Sequence, residues 1–264
     1  MSPGVWQIGS IQLHPAGDLS PFKHLFVQPP VAASDQVRPV RFSVELCNAP
    51  DWPIAIETTA SHYRKGLPSH EVSIDFADRR LNFRIVSPID AIGRYMIYRD
   101  FFCALGGLAG EPLLHASAVI RDGGVHAFLA VSGGGKSTIA EMLRPHAAWL
   151  NDEIIWITAF ENELLVVNQP FWRGEQEPTG RSLLPLAALY LIHKSEGCAL
   201  RPMPPAGLYA MALGAPFGPD DPGLPDRARR TARLVEKTPC YHLDVPLDGN
   251  AVAETIFACQ SKPS

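Results

Sequence analysis

The sequence contains no strongly basic tract, no cysteine–histidine spacing typical of a zinc site and no apolar run long enough to cross a membrane. With a net charge of −4, general binding to nucleic acid is not expected. The five cysteines are odd in number and widely scattered, which favours reduced structural thiols over metal ligands. The opening residues MSPGVWQIGS show no charged-then-apolar signal segment. These absences favour a cytoplasmic protein that binds neither nucleic acid nor membrane.

The bulk composition is that of a chain that folds. Apolar residues make up 46% of the 264 residues and charged residues 19%, so the chain can bury a core as one large domain or two small ones. Proline is abundant, and its 25 residues fall mainly between periodic segments, which predicts many stiff loops. The sequence has neither an internal repeat nor a low-complexity tract.

A glycine-rich run from Ala130 to Thr138, AVSGGGKST, carries most of the functional information. It follows the apolar run 125–129 and leads into 139–143, which predicts the strand, loop and helix of a phosphate-binding loop. Unpaired N–H groups at a helix start suit an anion, and glycines let the backbone curl round it. The alternative is a flexible glycine turn with an incidental lysine. Nucleotide-binding residues are predicted to be Ser132, Gly133, Gly134, Gly135, Lys136, Ser137 and Thr138, with Lys136 on the β- and γ-phosphates and Ser137 on Mg²⁺.

A pair of acids, Asp152 and Glu153, closes a short apolar strand about 15 residues after Ser137. A nucleotide-bound Mg²⁺ needs oxygen ligands beside the phosphates, and a phosphate-loop protein usually supplies one from a strand end. One acid of such a pair can hold the metal while the other accepts the proton of an attacking hydroxyl. Taken alone, two adjacent acids are often just a solvated turn, but their position after the glycine loop favours the functional interpretation.

Three further features have a functional and a structural interpretation. His115 lies one strand before the glycine loop, where it could face the terminal phosphate or be a hydrogen-bonded core residue. Arg173, in the loop-like stretch PFWRGE, could neutralise transition-state charge or be a surface arginine. The amphipathic segment 226–237, with its four arginines, predicts a helix whose basic face is solvated or binds an acidic peptide.

The pattern along the chain predicts two domains, a β-rich domain over 1–110 and a second domain over 111–264. In the first, alternation predicts strands over 41–46, 72–76 and 81–86, and a helix over 94–108 that stops at Gly106-Gly107. In the second, the expected strands cover 113–120, 125–131, 148–150, 154–160, 164–167, 187–193 and 241–245. The mixture of hairpins and helices predicts an α/β fold without a regular strand–helix alternation.

Three stretches of the second domain resemble one known family. LLHASAV, AVSGGGKSTIAEML and WLNDEIIWI are similar in order and spacing to the HPr serine kinase/phosphorylase catalytic domain, and most similar to the looser group of HPr-kinase-related proteins, some of which sit in clusters making modified peptides. The resemblance covers roughly 113–157 and extends more vaguely towards the C-terminus. It implies an α/β fold in which a P-loop domain with a mixed, hairpin-rich sheet, akin to phosphoenolpyruvate carboxykinase, follows a small β-rich domain.

The resemblance also implies roles for single residues. Asp152 resembles the family's catalytic base, and Glu153 stands where the family has a second aspartate associated with Mg²⁺. Ser137, Glu153 and Asp152 are thus the implied metal ligands. His115 resembles the histidine near the transferred phosphate, and together with Asp152, Lys136 and Arg173 it completes the expected catalytic set. Family members often form homo-oligomers, so self-association is a further expectation.

The sequence departs from the family in three places. Ala130 replaces the usual first glycine, Glu153 replaces an aspartate, and only Arg173-Gly174 echoes the glycine-rich signature loop. These departures count against HPr as acceptor and against phosphorylase activity. The prediction is therefore a kinase that uses ATP and Mg²⁺ to phosphorylate a hydroxyl, a serine or threonine of a protein or peptide, such as the precursor of a modified peptide. The alternatives are a kinase for a small hydroxylated metabolite and a nucleotide-binding regulator that transfers nothing.

Overall fold

A computed structural model describes residues 6–8, 11–22, 39–59, 61–160, 163–167, 183–213 and 221–258. The chain divides into two compact units, the first made of residues 1–111 with 215–227 and the second of 112–214 with 228–264. The two-domain boundary drawn from the sequence stays a prediction. Within the described ranges, no helix is long and apolar enough to span a membrane.

The first unit is built on one seven-stranded sheet with the strand order β1-β2-β3-β7-β6-β5-β4. The three strands expected from alternation are present within two residues of their expected bounds, whereas β1, β2, β4 and β5 were not predicted. One long helix, α1 (Ala91–Ala109), follows the last strand. The strands are β1 (Trp6–Ile8), β2 (Ile11–Gly17), β3 (Val40–Cys47), β4 (Ile56–Thr58), β5 (His62–Gly66), β6 (His70–Asp75) and β7 (Arg80–Val86).

The ends of α1 are fixed by local chemistry. At the start, the Asp90 side chain accepts a hydrogen bond from the backbone N–H of Gly93 at 2.6 Å, which satisfies a donor that a helix start otherwise leaves open. At the end, Gly110 adopts the left-handed conformation with a φ of 64°, the usual glycine stop. The predicted stop at Gly106-Gly107 was therefore wrong: both glycines are buried inside the helix, which continues to Ala109.

Aromatic side chains form the core of the first unit. Phe101 of α1 lies 5.1 Å from Phe42 of β3 and 5.0 Å from Phe22, measured between ring centroids. Phe83 of β7 completes the cluster in edge contact with Phe42. All four rings are at most 1% exposed. Burial of each such ring stabilises the fold by about 2 kcal/mol, so this cluster holds α1 on the sheet.

In the part that the structure describes, the second unit contains eight strands and the helices that follow α1. Strands predicted at 113–120, 148–150, 154–160, 164–167 and 241–245 are present near those bounds, and β13 is longer than expected. The helices α3 and α5 and the strand β14 were not predicted. The elements are β8 (Leu113–Arg121), β9 (Gly124–Leu129), α2 (Lys136–Met142), β10 (Ala148–Asn151), β11 (Ile154–Phe160), β12 (Glu163–Val167), β13 (Leu183–Lys194), β14 (Ala199–Pro202), α3 (Pro205–Ala212), α4 (Leu224–Lys237, whose first four residues belong to the first unit), β15 (Cys240–Val245) and α5 (Gly249–Ala258).

Five strands of the second unit pair in a closed ring. β8 pairs with β9 and β11, β11 with β12, β12 with β13, and β13 with β9. Strands β13 and β9 are parallel, as are β13 and β15, whereas the other pairs of this unit are antiparallel. The architecture is thus mixed α/β and consists mostly of strands, with a mixed sheet as expected from the sequence.

Strands β8 and β9 of the ring each have two faces that pack differently. Ala116 and Ala118 of β8 and Leu129 of β9 belong to one buried cluster, which also contains residues of α3 and α4. Val119 and Phe128 belong to another cluster, which contains residues of α2 and α5. Because side chains alternate along a strand, every second residue of β8 and β9 faces α2. This is the face on which the glycine loop and its helix lie.

The basic helix predicted at 226–237 is present as α4, but its arginines do not form one solvated face. Arg227 is 0% exposed, and its guanidinium donates to the Asp221 carboxylate at 2.6 Å. Arg229, Arg230 and Arg233 are exposed. A buried charge needs a partner of opposite sign, and Asp221, six residues earlier, supplies it. The expectation of a fully solvated basic face was wrong for Arg227.

A buried group of charged side chains lies between α1 and the sheet of the first unit. Asp100 of α1 accepts two hydrogen bonds from the Lys65 ammonium, at 2.9 and 2.7 Å. The same carboxylate lies 3.1 Å from Nε2 of His70, which is completely buried. Burial alone raises the pKa of the Asp100 carboxyl, but the bond from His70 and the charge of Lys65 outweigh it and hold this pKa below its usual value.

We predict that Asp100→Asn lowers the free energy of unfolding by about 3 kcal/mol near neutral pH, because it leaves the Lys65 charge buried without its partner. The folded-state pKa of Asp100 lies below its ordinary value of 3.8, so its stabilisation is present above that pH and is lost as pH falls through the lower folded-state value. Urea unfolding at neutral and at acid pH measures both effects. The difference between the two proteins should shrink in acid.

The control for this prediction is Asp78→Asn, because Asp78 pairs with Arg80 at 3.1 Å with both side chains about half exposed. Removal of an exposed pair should change stability by less than about 1 kcal/mol. Equal effects of the two variants would contradict the role given to the buried pair.

Candidate functional site

The glycine loop connects the end of β9 to the start of α2, in the order expected from the sequence. Gly133 and Gly135 adopt positive φ angles of 73° and 97°, which favour glycine over other residues. Between them, the N–H of Gly134 donates to the carbonyl of Val131 at 2.9 Å and closes a tight turn. The loop residues 131–133 are exposed, so this part of the loop is open to solvent.

Close packing inside the loop explains the alanine at its first position. A Cβ atom added to Gly134 would lie 2.5 Å from the Cβ of Ala130 and 2.8 Å from the carbonyl oxygen of Val131. Ala130 itself is 8% exposed, so its methyl group occupies the space that Gly134 leaves. The departure from the glycine pattern at position 130 is therefore accommodated within the loop.

Lys136 is the first residue of α2, and both its side chain and its backbone carbonyl form hydrogen bonds. Its side chain folds back over the loop, and the ammonium donates to the carbonyl of Ala130 at 3.2 Å. Its own carbonyl accepts a hydrogen bond from the buried hydroxyl of Ser117 at 2.6 Å, which ties the helix start to β8. Burial lowers the pKa of the Lys136 ammonium, and the negative charge of Glu153 acts in the opposite direction. Lys136 and Glu153 therefore share one local electrostatic environment.

Strand pairing places the two acids beside Ser117. Asn151 pairs with Ala118 and Ile154 with His115, so Asp152 and Glu153 lie between these two pairs on the neighbouring strands. The backbone N–H of Ala116 donates to the carbonyl of Glu153 at 3.3 Å, which continues the pairing through the bend. Asp152 is buried, at 6% exposed, whereas Glu153 is half-buried.

The other residues predicted from the sequence divide into three groups. His115 is exposed and lies two residues before Ser117 on β8, hence on the same face as the start of α2. Ser132, Ser137 and Thr138 are exposed in the loop and in the first turn of α2. Arg173 lies outside the residues that the structure describes, so its assignment stays a prediction. The site residues as a set likewise stay predictions.

Two residues near the loop were missed in the sequence. Ser117 lies within an apolar strand, where nothing in the pattern distinguishes it from a buried spacer. Lys194, at the end of β13, donates from its ammonium to the carbonyl of Gly133 at 3.2 Å. The signal for Lys194 was weak, because it lies 61 positions from its partner and depends on a parallel pairing that sequence alone does not define.

The oxygen-bearing side chains near the loop fit a magnesium ion better than a softer metal. Ser137 offers a hydroxyl, and Asp152 and Glu153 offer carboxylates, which are the ligands that Mg²⁺ prefers. Mg²⁺ commonly takes one or two carboxylates and completes its shell with water and phosphate oxygens. Among the described parts of the chain, no group of three or more histidine, cysteine, aspartate or glutamate residues could hold a metal by itself.

No family model matches this chain, and no curated protein matches it. Among solved structures, it is similar to the Hpr(Ser) kinase/phosphatase from Coxiella burnetii, at 9% sequence identity and a TM-score of 0.36. The match covers 56% of this chain and 95% of that chain. It is a distant structural relation and does not establish the family, so the resemblance stated from the sequence stays a prediction.

We predict that Gly134→Ala lowers the free energy of unfolding by about 2 kcal/mol, because the new methyl group collides with Ala130 and with the Val131 carbonyl. The double variant with Ala130→Gly should recover part of this loss, since it removes one of the two collisions. Urea unfolding of the four proteins in this cycle measures the coupling between the two positions.

Gly197→Ala serves as the control, because a Cβ atom there meets nothing within 4 Å. That variant should keep its stability within about 0.5 kcal/mol. A Gly134→Ala protein as stable as the control would refute the packing described for the loop.

Proposed function

We propose that the second unit binds a nucleoside triphosphate with Mg²⁺ and transfers its γ-phosphoryl group to a hydroxyl. The main support is the way three separate segments meet at one place. These are the loop with the folded-back Lys136 that follows it, strand β8 and the acids that follow β10: the Lys136 carbonyl accepts a hydrogen bond from the buried Ser117 of β8, and strand pairing places the acids beside Ser117. A loop that offers N–H groups and an ammonium, next to carboxylates, is suited to a polyphosphate and its metal.

Each residue has a defined task in this proposal. Lys136 binds the β- and γ-phosphates and leaves the Ala130 carbonyl to do so. Ser137, Glu153 and Asp152 would hold Mg²⁺, which supplies charge neutralisation between the phosphates when it is bound. Asp152 accepts the proton of the attacking hydroxyl, and His115 lies near the transferred group. Phosphoryl transfer asks mainly for positioning and charge neutralisation, and this set can supply both.

The acceptor in this proposal is a serine or threonine hydroxyl of a protein or peptide, such as the precursor of a modified peptide. This assignment is supported by the sequence resemblance rather than by a feature of the loop, which in this proposal binds the nucleotide and not the acceptor. A small hydroxylated metabolite is the nearest alternative acceptor. A regulator that binds nucleotide and transfers nothing is the alternative of another class.

We predict that Asp152→Asn lowers the turnover of phosphoryl transfer by about 10²- to 10⁴-fold while nucleotide binding is retained, because the amide cannot accept the proton. Lys136→Ala should instead lose nucleotide binding. Steady-state kinetics and calorimetric titration with ATP and Mg²⁺ separate the two effects.

Glu141→Gln is the matched control, because Glu141 is an exposed acid on α2 that pairs with Arg144. It should leave both binding and turnover unchanged. If Asp152→Asn turned over as fast as the unchanged protein, Asp152 would not be the base, and a non-catalytic role for the loop would gain support.

Incubation with γ-labelled ATP, Mg²⁺ and cell extract should transfer label to a protein or peptide. Label on phosphoserine or phosphothreonine after acid hydrolysis identifies the hydroxyl. The Asp152→Asn protein, treated in parallel, should transfer far less label.

Label on a small metabolite would replace the protein acceptor with the metabolite alternative. Label only on free phosphate, in an amount that Asp152→Asn does not change, would overturn the kinase proposal.

A further inference from the structure

Lys194 ends strand β13, next to the strand that carries the glycine loop. Strands β13 and β9 run parallel, and Leu191 pairs with Leu129 at the end of β9. Residues beyond this pair therefore lie level with the loop. Lys194 follows Tyr190 and Ile192 at two-residue spacing, and both of these belong to the cluster that packs against α2. By alternation, the Lys194 side chain leaves the sheet on the same face as the loop.

One hydrogen bond and one short distance place the Lys194 side chain over the loop. Its ammonium donates to the Gly133 carbonyl at 3.2 Å. Its Cε lies 3.8 Å from the position that a Cβ of Gly135 would occupy. The residue is exposed, and an exposed hydrogen bond to a neutral carbonyl contributes little to stability. The contact thus places a charge at the loop without being needed to hold the fold.

Two ammonium groups thus donate to backbone carbonyls of residues 130–133. Lys136 reaches back to the Ala130 carbonyl, and Lys194 reaches across to the Gly133 carbonyl. Both ammonium groups are hydrogen-bonded to backbone carbonyl oxygens of the same short turn. A neutral carbonyl is a weaker partner for an ammonium than a phosphate oxygen is, so a phosphate that enters the loop can take over both donors.

We propose that Lys194 is a second phosphate-binding lysine, which leaves the Gly133 carbonyl and binds the terminal phosphates of a nucleoside triphosphate. This inference rests on the proposed function, since it needs a nucleotide in the loop. It adds to that function a preference for ligands with a chain of phosphates over those with one, because the second ammonium has no partner in a monophosphate held by Lys136.

Calorimetric titration of Lys194→Ala with ATP, ADP and AMP in the presence of Mg²⁺ tests the inference. We expect ATP affinity to fall by about tenfold, as for loss of one charged hydrogen bond, and AMP affinity to change far less. Lys194→Arg should retain most of the ATP affinity because it keeps the charge. The dependence of ATP affinity on salt should weaken in Lys194→Ala, since one ionic contact is gone.

Lys237→Ala is the control, because Lys237 is an exposed lysine of the same unit at the end of α4. It should bind all three nucleotides as the unchanged protein does. Circular dichroism and thermal unfolding show whether Lys194→Ala keeps its fold. If it does not, the ATP and AMP affinities of Lys194→Arg provide a second test.

The outcomes separate this inference from the proposed function. If the unchanged protein binds ATP and Lys194→Ala binds it equally well, the inference is overturned and the proposed function stands. Equal losses for ATP and AMP would also overturn it, because the effect would not depend on the phosphate chain. If the unchanged protein binds no nucleotide, the proposed function fails and the inference fails with it.

Discussion

The hydrogen bond from the Ser117 hydroxyl to the Lys136 carbonyl is the contact on which the candidate site depends. It is buried and short, at 2.6 Å, and it joins β8 to the first residue of α2. Strand β8 also pairs with β9, which carries the glycine loop, and with β10 and β11, which flank the two acids. One strand therefore sets the position of loop, lysine and carboxylates together, and a shift of β8 would move all of them.

The parts that could be predicted from the sequence are those encoded over short stretches. The order of strand, loop and helix around Lys136 follows from a local glycine pattern and two apolar runs. The acid pair after a short strand was visible for the same reason. One helix boundary failed where burial overrode local preference: Gly106 and Gly107 are buried and stay helical, and the chain leaves the helix only at Gly110.

The parts that could not be predicted depend on pairings between distant segments. Lys194 reaches the loop because β13 lies parallel to β9. The sequence near position 194 contains no pattern that predicts this pairing. Arg227 looks like part of a solvated arginine face, and only its buried pairing with Asp221 shows otherwise. Similarly, the role of Ser117 depends on its hydrogen bond to the Lys136 carbonyl, 19 positions away. Local periodicity predicts the helices and strands, whereas contacts with other segments determine which polar residues lie at the site or are buried in pairs.

The closed circuit of β8, β9, β13, β12 and β11 has a consequence for how this protein can evolve. An open sheet can slide one strand at its margin, but here each of the five strands is fixed by a neighbour on both sides. A slip of one strand by one residue would turn its inward side chains outward, so it is opposed by the pairings with both of its neighbours at once. We therefore expect insertions to be tolerated in the connecting segments rather than in the five strands, whose alignment they would disturb.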